Sequence, residues 1–158
     1  DNGIKTRTLI RKDYDDVDKY SEDMRDALLE EKADVIVYAG FMTILDENVC
    51  DAFPNRMINV HPALIPSFCG KGFYGLHVHE EALKKGVKVS GATVHFVTAE
   101  CDAGPIILQK AVEVVEGDTP ETLQKRIMEQ AEWKILPKAV QLFGDGKVEV
   151  VEGKTVIK

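Results

Sequence analysis

The run Asp34-Val35-Ile36-Val37-Tyr38-Ala39-Gly40 constrains the fold of this chain more than any other segment. It is apolar without alternation and rich in β-branched residues, the pattern of a central parallel strand buried on both faces. Parallel strands need helical crossovers, and the flanking sequence supplies them. Residues 15–32 place Val17, Tyr20, Met24, Ala27 and Leu28 on one stripe, with acids and lysines opposite, which predicts an amphipathic helix with a solvated charged face. Residues 46–53 read as a short helix and Met57–Val60 as the next strand. With a first short apolar run at Thr6–Ile10, the alternation of strands and helices predicts an α/β sheet. Ligands of such sheets bind beyond the carboxyl ends of the strands. Gly40-Phe41-Met42 and Asn59-Val60-His61 stand at those ends.

The second half changes character. Residues 66–75 form a glycine-rich loop, in which Gly70-Lys71-Gly72 could cradle a phosphate but lacks P-loop spacing. A mobile loop beside a site is the simpler reading. His77–Lys85 predicts a short helix closed by Gly86. Lys88–Thr98 and Ile106–Val115 read as extended segments around an acidic turn at Ala99–Pro105. Thr119-Pro120-Glu121 carries the signals of a helix start, and Leu123, Ile127, Ala131, Ile135 and Ala139 make its core row. Pro137 should kink that helix or end its regular part. A terminal hairpin is expected from residues 148–151 and 155–157.

Composition removes several function classes. A net charge of −7 without a dense basic run argues against nucleic-acid binding, which needs a positive footprint. No apolar stretch is long enough to span a bilayer, and no signal peptide is visible. The three cysteines, Cys50, Cys69 and Cys101, include no C-x-x-C pair, so neither a disulfide framework nor a zinc site is expected and the cytoplasm is the default compartment. His77-x-His79 has no acid or cysteine partner at ligand spacing and reads as a helix start.

The chemistry concentrates in Ile58-Asn59-Val60-His61-Pro62. Alternate strand residues share a face, so Asn59 and His61 aim at one substrate atom, and Pro62 biases His61 toward extended backbone. An amide donor beside an imidazole suits a carbonyl oxygen becoming an oxyanion. Asp102, in a turn with Ala103 and Gly104, is the third candidate. An Asp near His61 should raise the imidazole pKa. The parity of His95, opposite to Val94 and Phe96, points it toward the same cleft.

Four separated segments, 39–45, 58–66, 91–98 and 102–109, together resemble the glycinamide ribonucleotide formyltransferase family in order and spacing. The resemblance implies a Rossmann-like formyltransferase fold, a mostly parallel sheet flanked by helices with an antiparallel C-terminal part, as a single domain over residues 1–158. It implies transfer of a formyl group from 10-formyltetrahydrofolate to the amine of glycinamide ribonucleotide, with Asn59, His61 and Asp102 catalytic and no metal. Folate contacts are implied for Met42, Thr43, Ile44, Leu45, Met57, Asn59, Val97 and Thr98, and substrate contacts for Pro62 and Glu132. Small molecules are the implied partners of a cytoplasmic monomer or homodimer that contacts neither nucleic acid nor membrane. The family's opening strand and glycine-rich phosphate loop have no counterpart here, so a chain lacking that unit is expected. Val17 stands where some members carry an arginine near the cofactor's tail. A formyltetrahydrofolate hydrolase, or a non-catalytic folate- or nucleotide-binding module, is the alternative.

Overall fold

The computed structural model describes residues 2–158. Its elements run α1 (Val17–Glu30), β1 (Ile36–Tyr38), α2 (Glu47–Ala52), β2 (Met57–His61), α3 (Leu76–Lys85), β3 (Val89–Phe96), β4 (Ile106–Glu113), α4 (Pro120–Ile127), a wide π-type turn (Met128–Glu132), α5 (Trp133–Gly144) and the hairpin β5 (Val148–Val151) and β6 (Lys154–Ile157). The four-stranded sheet has the order β1-β2-β3-β4, and the hairpin stands apart from it. β1 and β2 are parallel, whereas β2/β3 and β3/β4 are antiparallel. The sheet is therefore mixed: the expected parallel character holds at one pair, and the antiparallel part begins already at β3.

Side-chain parity along β2 divides the core. Ile58 joins Ala92, Val94, Phe96 and Ile107 beneath the row Leu123, Ile127, Ala131, Ile135 and Ala139 of the C-terminal helices. Met57 points the other way, into a smaller core with Ile36, Val49 and Phe53. Asn59 and His61 share the parity of Met57 and pair in register with His95 and Thr93 of β3. The same alternation that buries the two cores thus leaves a polar row at the strand's end.

Local signals explain the helix boundaries. The Asp16 side chain accepts from the Lys19 N–H to open α1. At α4, Thr119 and Thr122 exchange side-chain and backbone bonds, with Pro120 in the first turn. Gly86 closes α3 at φ +73°. The expected kink at Pro137 is not seen: α5 runs through it, although its missing N–H leaves the Trp133 carbonyl without a helical partner. The irregularity lies earlier, where the backbone widens over Met128–Glu132.

Two expectations are corrected. Thr6–Ile10 is not a strand; it leads into a 3-10 turn at Arg11–Asp13, and Arg7 pairs with Glu30 at 2.7 Å while Lys5 pairs with Glu31. These charges anchor the segment to the end of α1, away from any strand it could join. β1 is not central among the described residues. It lies at the sheet edge with Val37 37% exposed, so its apolar run is buried at Ile36 but not throughout.

Candidate active site

A cavity of about 780 Å³ opens beyond the ends of β1 and β2. Its walls bring together residues from six separated segments. Met42, Thr43, Ile44 and Leu45 follow β1, and Val97 and Thr98 follow β3. Pro62 continues β2, and Glu132 enters from the π-type turn. Asn59, His61 and Asp102 form the polar end. Met57 is the exception among the expected folate contacts: it is fully buried in the smaller core and does not line the cavity, because its parity and depth on β2 commit it to packing.

Hydrogen bonds orient the polar end. His95 Nδ1–H donates to the Phe96 carbonyl at 2.8 Å. The Asn59 amide nitrogen lies 3.2 Å from His95 Nε2, so the His95 ring holds the amide in place. His61 Nε2–H donates to the Phe68 carbonyl at 2.7 Å. Asp102 sits between the two imidazoles, 3.6 Å from His61 Nδ1 and 3.6 Å from His95 Nε2, and accepts the Gly70 N–H at 2.9 Å. The 66–75 loop therefore touches both His61 and Asp102 through its backbone.

The Asp102 turn is tightly built. Asp102 holds φ +55°, which short polar side chains tolerate better than most. Behind it, a Cβ built at Gly104 would stand 1.8 Å from the Phe96 carbonyl oxygen, so only glycine lets the turn press against the end of β3.

Electrostatics correct one expectation. Burial pushes the His61 pKa down, and this outweighs the opposing pull of the Phe68 carbonyl and the Asp102 charge. The predicted rise fails because the side chain is nearly inaccessible and Asp102 stands beyond hydrogen-bond distance. Burial would raise the Asp102 carboxyl, but the His95 ring, the Gly70 N–H and the His61 charge bring it down to about 2. Burial pushes the Glu132 carboxyl up.

Tyr38 and Trp133 are cavity residues that the sequence reading did not assign to the site. Tyr38 packs against Phe41, at the strand end already singled out, with ring centroids 4.8 Å apart. Trp133, 61% exposed, stands at the cavity beside Glu132. Their aromatic character at a strand end and beside Pro137 was the available signal. His77, by contrast, faces Glu80 at 3.2 Å, and His79 is fully buried with neither ring nitrogen partnered among the described residues. No cluster of three or more potential metal ligands occurs among the described residues.

Residues 1–140 match the model of the formyl transferase family. The chain is 43% identical over 150 residues to the trifunctional purine biosynthetic protein adenosine-3 of Bos taurus, covering 95% of this chain and 14% of that protein. It is 37% identical over 150 residues to the phosphoribosylglycinamide formyltransferase of Escherichia coli, covering 95% of this chain and 68% of that one. The glycinamide ribonucleotide transformylase 1 structure from Symbiobacterium toebii superposes with a TM-score of 0.86 at 40% identity, over 94% of this chain and 68% of that one. A formyltetrahydrofolate deformylase structure from Pseudomonas syringae pv. tomato is also similar, with a TM-score of 0.77 at 31% identity over 90% of this chain and 46% of that one. The chain thus spans about one seventh of the mammalian protein, 14% by length, and about two thirds, 68%, of the bacterial one. With the family model matched over most of its length and the cavity at the strand ends, the chain belongs to the formyl transferase family.

Proposed function

We propose that this chain transfers the formyl group of 10-formyltetrahydrofolate to the amine of glycinamide ribonucleotide, a step of purine biosynthesis, without a metal. The carrying observation is that Asn59, His61 and one low-pKa carboxylate, Asp102, share the polar end of a mainly apolar cavity. The amine nitrogen attacks the formyl carbon, forming the new C–N bond while the carbonyl electron pair moves onto oxygen. Asn59 and His61 donate to that oxygen, where fixed donors act most strongly. Asp102, anionic at neutral pH, favours the imidazolium as negative charge grows on the oxygen. Collapse breaks the bond to the folate nitrogen, and the proton lost by the amine reaches that nitrogen through Asp102 or a water it holds.

The wall of Met42, Thr43, Ile44, Leu45, Val97 and Thr98 suits the flat folate rings. Pro62 and Glu132 would face the ribonucleotide, the carboxylate meeting its polar groups. We place the reaction in the cytoplasm, carried out on small molecules by a monomer or homodimer. No helix among the described residues is long and apolar enough to cross a membrane.

The resemblance to a deformylase favours a second reading, hydrolysis of the folate to formate. The purified protein with 10-formyltetrahydrofolate, with and without glycinamide ribonucleotide, separates the two. Formyl transfer that depends on the ribonucleotide is expected; formate release without it would establish the hydrolase. No turnover in either case, with folate affinity unchanged in His61→Ala, would leave only a binding module.

A further inference from the structure

The cavity is anionic where its substrates are anionic too. Its walls carry the carboxylates of Asp102 and Glu132, and Lys71 is the one lysine or arginine lining it among the described residues. Lys71 is exposed, and none of the ion pairs that hold neighbouring acids uses it; Asp102 faces the imidazoles instead. Its position in the chain is equally distinctive. Gly70 at φ +87° and Gly72 at φ +96° flank it, and nothing lies within 4 Å of where a Cβ at either glycine would stand. The lysine is thus presented on a span with room to swing and with backbone freedom on both sides. The same loop is bonded to the reacting groups, through the Phe68 carbonyl on His61 and the Gly70 N–H on Asp102.

We propose that the 66–75 loop is an anion-seating clamp, with Lys71 as its binding residue for an anionic group of a substrate. The chemistry is that of a phosphate or carboxylate: the ribonucleotide's phosphate or the glutamyl tail of the folate, an identification that rests on the formyl-transfer reading above. An ion pair formed by Lys71 shifts the short span it sits on. The shift draws the Phe68 carbonyl off His61 and frees Nε2–H for the formyl oxygen. Seating the anion and arming the donor then become one event, so the cavity presents its imidazole N–H only when a charged substrate is in place.

Titrating the whole protein with inorganic phosphate and, separately, with glutarate tests this, following the ring resonances of His61 by NMR. The ring signals should shift saturably with at least one anion in the wild type and in Lys71→Arg, and not in Lys71→Gln. In turnover, K71Q should raise KM for the substrate bearing that anion by about 10–100-fold, the loss expected for one charge-assisted hydrogen bond, and K71R should restore most of it. A rise confined to the ribonucleotide assigns the phosphate, and a rise confined to the folate assigns the glutamyl carboxylate. Silence of the His61 signals toward both anions in the wild type, or K71Q responding as the wild type does, would overturn the clamp. Anion-dependent His61 shifts in a protein that fails to formylate the ribonucleotide would refute the functional reading and leave the clamp standing.

Discussion

Asp102 keeps a left-handed backbone, with φ +55°, and a carboxyl held down to about 2. Both follow from the turn it occupies: the Gly70 N–H and two imidazole rings face one side chain, and the backbone bends to aim it. Asp102→Asn keeps the shape and removes the charge. If the carboxylate supports charge on His61, this variant should lose about 10²–10³-fold in rate, the scale for removing one preorganised electrostatic partner; an unchanged rate removes Asp102 from the mechanism. The His61 ring supplies a separate check. NMR titration should place its pKa below the ordinary value near 6.5, because burial prevails, and lower still in D102N, because an attractive charge is gone. A pKa above the ordinary value in the wild type would show that the carboxylate prevails. The sequence made the three residues legible through strand parity and a turn signature. It did not reveal the direction of this shift, since the cover over His61 comes from a loop whose path no local pattern encodes.

At the scale of elements, the alternation along β2 and β3 was readable because Ile58, Ala92, Val94 and Phe96 face the larger core while Asn59, His61, Thr93 and His95 take the opposite parity. Met57 shows where that reading stops: it shares parity with Asn59 and His61, yet depth along the strand puts it in the core rather than the cavity. Thr6–Ile10 shows the converse, an apolar run that finds no strand to join and is held by Arg7 and Lys5 on the end of α1. The joint between β3 and the Asp102 turn depends on Gly104. A methyl group there meets the Phe96 carbonyl at 1.8 Å, so backbone must move. Gly104→Ala should cost about 1–3 kcal/mol in denaturant unfolding, the usual penalty of overpacking, and lower turnover by displacing Asp102. Wild-type stability and turnover together would mean that the turn can shift without consequence.

For the whole molecule, two buried imidazoles set the response to acid. His61 has a lowered pKa, and burial takes His79 down to about 4. Unfolded histidines bind protons near pH 6.5, so the unfolded chain takes up more protons than the folded one as the pH falls below that value. Stability contributed by these neutral rings is present above about pH 6.5 and is lost toward pH 4. Below pH 4 a second loss begins, as Asp102 is protonated through its value of about 2. Thermal unfolding across this range should show the first decline, and His79→Leu should flatten it. That substitution removes two ring nitrogens without partners among the described residues, and should be neutral or stabilising by about 1 kcal/mol at pH 7. An acid profile identical in H79L and wild type would place the sensitivity elsewhere.

The Phe68 carbonyl on His61 has a bearing on selectivity. Because the donor is already satisfied, whatever oxygen replaces that carbonyl enters an exchange and gains only the difference between two acceptors. A neutral formyl oxygen is nearly the equal of a peptide oxygen and gains almost nothing. An oxygen carrying negative charge is a much stronger acceptor and gains a great deal. Displacing the resting carbonyl costs the same for either oxygen, so the gain in acceptor strength that comes only as the tetrahedral intermediate forms is the differential that accelerates the reaction.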